Sequence, residues 1–155
     1  MQLEQIVAHT TSEGNEYLIQ FSAFNPDFLP KSINLPVINL ELVQVELKKQ
    51  NSPTFLKFLA QYICDYVNAF DVILYYYCDT SEIYMRKTRA QSPQEYRHEL
   101  FNRLYNTIQN ESIIREVIII EDINVGKHYI SLITSEKFRA ELDIVSKEFE
   151  YFRDK

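Results

Sequence analysis

Asp79, Arg86, Arg89 and Arg103 are the residues whose types and spacing come closest to chemistry in this chain. Asp79 ends the run Tyr75-Tyr76-Tyr77-Cys78-Asp79, and a basic stretch follows it. Between residues 86 and 103 lie Arg86, Lys87, Arg89, Arg97 and Arg103 against Glu95 and Glu99, a local charge of +3. Ser92-Pro93-Gln94-Glu95 reads as a capping box that opens a helix, with proline at the first helical position. Arginines beside a capped helix N-terminus suit a phosphate or a carboxylate. A plainer account has Asp79 closing a turn and the arginines pairing with acidic surface elsewhere. The residues favour that account.

Glu121-Asp122 is a second acidic strand end. Asp79 and Asp122 would share a divalent metal only if their strands were neighbours. Asp122, followed by Asn124 and Gly126, is also ordinary turn chemistry. The sequence therefore names no metal and no cofactor. His9, His98 and His128 show no metal-ligand spacing, and Cys64 and Cys78 sit in apolar runs. The cysteines read as buried, reduced thiols rather than nucleophiles. No Gly-x-Ser-x-Gly occurs. Gly14 and Gly126 are the only glycines, which excludes the Gly-rich phosphate loops that need several close together.

The elements that must position these groups follow from periodicity. Ile6 and Ala8, then Tyr17, Ile19, Phe21 and Ala23, alternate around Ser12-Glu13-Gly14-Asn15 and predict a hairpin with one face buried. Pro26, Pro30 and Pro36 make 24–36 a surface loop. Ile38, Leu40 and Leu42, then Val43, Val45 and Leu47, predict a strand over 37–48 with a bulge near Leu42-Val43. Ser52-Pro53 opens a helix whose buried stripe is Phe55, Phe58, Leu59, Tyr62, Ile63 and Tyr66. Val72–Cys78 is continuously apolar and predicts a central strand covered on both faces. The helix after Ser92 turns Tyr96, Leu100, Phe101, Leu104, Tyr105 and Ile108 inward. Val117–Ile120 predicts a second buried strand, with Tyr129–Ile133 as its hairpin partner. Thr134 or Ser135 caps a last helix striped by Phe138, Leu142, Val145, Phe149 and Phe152. The order is β-β-β-α-β-α-β-β-α. It predicts an α+β fold, a five- or six-stranded mixed or antiparallel sheet with three amphipathic helices mainly on one face.

All 155 residues read as a single domain, large enough to bury roughly two-thirds of its unfolded surface without disulfides. No apolar run is long enough to span a bilayer, and the start, Met-Gln-Leu-Glu-Gln-Ile, lacks the pattern of a secretory signal. With no disulfide framework either, the expectation is a cytoplasmic protein. The net charge of −6 argues against nucleic acid and anionic membrane as partners. The 11 tyrosines read as ring-buried core edges rather than base-stacking platforms.

Leu74-Tyr75-Tyr76-Tyr77-Cys78-Asp79, Arg86 and Arg89, and Leu100-Phe101-Asn102-Arg103-Leu104-Tyr105 together resemble a bacterial family known as domain of unknown function 6169. The resemblance covers about residues 72–105. Its helix motif carries a tryptophan where this chain has Leu104-Tyr105. It implies a bacterial cytoplasmic protein and no particular chemistry. The residues lean against catalysis without closing it. The leading expectation is a non-enzymatic protein-interaction module of the antitoxin, immunity or defence-accessory kind, with a basic protein partner. The alternative is an anion- or nucleotide-binding, phosphodiester-processing protein built on Asp79, Arg86, Arg89 and Arg103. Oligomeric state is not legible.

Overall fold

A computed structural model describes residues 2–46, 53–78, 92–108, 110–124 and 126–153. The strands are β1 (Gln5–Thr10), β2 (Glu16–Ala23), β3 (Val37–Glu46), β4 (Ile73–Tyr77), β5 (Ile113–Asp122) and β6 (Gly126–Ser135). The helices are α1 (Pro53–Ala69), α2 (Pro93–Thr107) and α3 (Arg139–Arg153). Short 3-10 turns occupy Pro26–Phe28 and Glu136–Phe138. The strands form one six-stranded sheet in the order β1-β2-β3-β4-β6-β5. Only β3 and β4 run parallel, with α1 as their crossover. The fold is α+β with a mixed sheet, in the element order that periodicity predicts.

The helices divide between the faces. Leu74, Tyr76 and Cys78 share one core with Ile63 and Tyr66 of α1 and Phe101 and Leu104 of α2. Ile73 joins Ile130, Leu132, Leu142 and Val145 in a second core beneath α3, and Tyr75 and Tyr77 pack against it. Successive strand residues point to opposite faces, so the apolar run at 72–78 feeds both cores. Two of the three described helices, α1 and α2, thus share one face, as expected, and α3 alone among them covers the other.

Three local expectations change. β5 is an edge strand, and its Val117 and Ile119 are each 38% exposed. The central place goes to β6, whose residues Tyr129–Thr134 are all buried. The physical reason is charge. Arg115, Glu116, Glu121 and Asp122 lie on β5, and both faces of a central strand are covered. In β1 the inward residues are Gln5, Val7 and His9, and Ile6 and Ala8 face outward. β1 is the other sheet edge, where an apolar residue meets water at little cost. In β3 the alternation runs unbroken from Ile38 to Val43. The register shift comes later, between Glu16↔Glu46 and Tyr17↔Gln44, and leaves Val45 without a partner.

Turns and caps follow local chemistry. Gly14 sits at φ 88° in the β1–β2 turn, a conformation open to glycine, and its N–H donates to the Thr11 carbonyl at 2.9 Å. The Ser92 hydroxyl accepts the Glu95 amide at 3.3 Å, as the capping box predicts. The last helix departs from expectation. Ser135 makes no side-chain cap, and the buried Thr134 hydroxyl instead donates to the Val72 carbonyl at 2.7 Å. Thr134 thereby ties the end of β6 to the approach of β4.

Candidate functional site

Of the four residues singled out by sequence, Asp79, Arg86 and Arg89 lie outside the described residues. Arg103 is exposed on α2. It stands ten residues past Pro93, about 15 Å along the helix, so it is remote from the capped N-terminus. β4 and β5 are not neighbours, because β6 runs between them. One Asp122 oxygen accepts the Asn124 amide at 2.8 Å, which is the turn chemistry foreseen. The other meets His128 Nε2 at 3.2 Å. Among the described residues no group of three His, Cys, Asp or Glu side chains is arranged to hold a metal ion.

The His128 contact belongs to a chain that sequence reasoning missed. His128 Nδ1 lies 2.6 Å from the Tyr77 hydroxyl. With Nε2–H donating to Asp122, Nδ1 is left to accept the Tyr77 O–H. The three residues come from β4, β6 and β5 at one end of the sheet. His128 stands opposite Ile120, and Tyr77 opposite Ile130. The Asp122↔Gly126 and Ile120↔His128 register puts Asp122 and His128 on the same face of the hairpin, and their spacing around the turn residues was the available signal. The addition of β4 beside β6 is tertiary and had none. The cluster ties the β5–β6 hairpin to β4.

Beneath α2 lies a second cluster. The Cys78 thiol is wholly buried, and burial pushes it up to about 12 against the opposing pull of Arg115 and Arg97. His98 stacks on Tyr129 at 4.3 Å, and its Nδ1 is buried without a hydrogen bond. Burial, then the charge of Arg115, hold its imidazole below the ordinary value, and Glu99 works in the opposite sense. Neutral thiol and neutral imidazole are the stable forms, so this is no activated Cys–His pair. Arg115 donates to Ser131 Oγ through Nε (3.2 Å) and Nη2 (2.8 Å), and to Asn102 Oδ1 through Nη1 (2.7 Å). Its guanidinium lies over the rings of Phe101 and Tyr105, 5.3 and 5.5 Å from their centroids.

An exposed apolar row lies on the outward face of β1–β3. Cross-strand register lines up Ala8, Leu18 and Val43 in one row. Ile6 is 63% exposed, Val45 55% and Val43 39%. Glu16 and Glu41 flank the row, both exposed. Residues 1–46 hold Glu4, Glu13, Glu16, Asp27, Glu41 and Glu46 against Lys31 alone, a net −5 of the chain's −6. β1, β2 and β3 contain no lysine or arginine. On the other side of this half-sheet, a hollow of about 200 Å³ opens between His9, Glu13, Phe55 and Phe58. That is smaller than the roughly 300–1,000 Å³ of pockets that enclose small-molecule ligands.

Comparison with protein-family models, with curated proteins and with solved structures gives no match for this chain.

Proposed function

We propose that the chain is a non-enzymatic protein-interaction module that engages a basic protein partner through the outward face of β1–β3. The observation that carries this reading is an open apolar row, Ala8-Leu18-Val43 with Ile6 and Val45 beside it, set in the part of the chain that holds nearly all its net negative charge. An apolar centre with a charged rim is the anatomy of a protein interface. The carboxylates steer a cationic surface toward it and disfavour acidic partners. Antitoxin, immunity and defence-accessory proteins have this relation to a basic target, and we place the chain in that class. The reading sets the protein in the cytoplasm. Both cysteines are buried free thiols, which suits a reducing compartment. Among the described residues no helix is long and apolar enough to cross a membrane.

The test is affinity capture from the source organism with wild type and with Ile6→Lys/Val43→Lys. The proposal expects wild type to retain a basic protein, released by salt, that the double variant loses. Equal capture by the two, or retention of acidic proteins only, would contradict it.

A further inference from the structure

β5 lies at the edge of the sheet opposite β1. It is ten residues long, pairs with β6 in unbroken register, and contains no proline or glycine. Among the described residues no strand pairs with its other side, which presents a row of backbone donors and acceptors. Sheet edges are ordinarily blunted by shortness, proline, a bulge or charge, and β5 carries only the last, at Arg115, Glu116, Glu121 and Asp122. On its α2-facing side it presents, in order, Ile113, Arg115, Val117, Ile119 and Glu121. Val117 and Ile119 are half-exposed, and Glu121 is exposed.

Arg115 supplies the reason for a particular partner. Its three hydrogen bonds all go to neutral side chains, and no described carboxylate pairs with it. Burial holds its pKa below the ordinary arginine value. A half-buried cation with no described counter-charge is costly, and two of its five N–H donors have no partner among the described residues. The complement lies on the same strand. If two β5 strands pair antiparallel about a two-fold axis at Ile118, Arg115 of each copy faces Glu121 of the other. Val117 of each copy then faces Ile119 of the other, and no like charges oppose. Moving the axis by one residue places Arg115 opposite Ile119 or Ile123 instead. Among β5 residues on this face, Glu121 is the only carboxylate, so one register alone satisfies the charge.

We propose that the chain forms a two-fold symmetric dimer by antiparallel β5–β5 pairing centred on Ile118, joining two six-stranded sheets into one. Opposite-charge and apolar cross-strand pairs are the stabilising unit of such an edge. The β1–β3 faces stay free at the two ends of the joined sheet. Dimerisation and partner capture are therefore separable.

The test is light scattering of the full chain during size-exclusion chromatography, with cysteine cross-linking to fix the register. Wild type is expected at twice the 18.5 kDa chain mass. Val117→Lys is expected to weaken dimerisation by about tenfold or more, with the circular dichroism spectrum unchanged. Ile6→Lys/Val43→Lys is expected to leave the dimer intact. Under mild oxidation Val117→Cys/Ile119→Cys should cross-link between copies, and Val117→Cys alone should not, because Cys64 and Cys78 are buried. A monomeric wild type, a dimer indifferent to Val117→Lys, a dimer dissolved by the β1–β3 variant, or cross-linking by Val117→Cys alone would each overturn the proposal.

Discussion

The Cys78 thiol, pushed up to about 12 by burial, makes a direct prediction about reactivity. Native protein should label with a thiol reagent far more slowly than unfolded protein, and both cysteines should become reactive together on unfolding. Fast labelling of one thiol in native protein would contradict the burial. His98 makes a prediction about pH. Its folded pKa lies below the ordinary imidazole value of about 6.5. Below about pH 6.5 the unfolded chain takes up a proton that the folded chain resists. Stability is therefore lost as pH falls from there through the folded pKa. Replacement by phenylalanine keeps a ring on Tyr129 and removes the titration. His98→Phe should show a smaller fall in Tm between pH 7 and pH 5 than wild type, and equal falls would remove His98 from the account. At this scale the sequence was legible where a residue's own neighbours decide its state. Cys64 and Cys78 sit in apolar runs and are buried, and Ser92 caps its helix. It was illegible where the partner sits on another strand. Nothing near Tyr77 in sequence announces His128, 51 residues away.

Among the elements, the hairpin β5–β6 separates what a sequence can and cannot specify. Both arms are rich in isoleucine, and either could join β4. The charges at Arg115-Glu116 and Glu121-Asp122 decide it, because a strand with helices over both faces has nowhere to put them. The arm Tyr129–Thr134 is free of charge and takes the centre. Truncation should report the difference. Leu132→Ala on β6 should destabilise by about 2–5 kcal/mol. Val117→Ala in dilute protein should cost less than about 1 kcal/mol. Urea unfolding measures both, and comparable losses would mean that β5 is buried after all. β1 shows the same limit: Ile6 and Ala8 alternate as well as Val7 and His9 do, so pattern alone leaves the inward face open. Stacking of His9 on Phe58 at 3.9 Å belongs to the inward set. Aromatic stripes with no competing phase, such as Phe55–Tyr66 on α1, were read correctly.

The whole molecule is lopsided. Near β4, β5 and β6 the sheet has helices on both faces, and near β1–β3 it has α1 on one face and an open apolar row on the other. The negative charge gathers on the open half. The order of elements along the chain and the helix number were legible from periodicity, but this asymmetry was not. It depends on which strand takes the edge and on α3 crossing to the far face, both products of packing. The central claim, a basic protein held on the β1–β3 face, is tested most directly by site-specific photo-cross-linking in the source cells. A photoreactive residue is placed at Val43, or as a control at Asp143 on the exposed side of α3. The account predicts an adduct with a basic protein from Val43 and none from Asp143. No adduct from Val43, an adduct with a second copy of the chain, or equal adducts from both positions would contradict it.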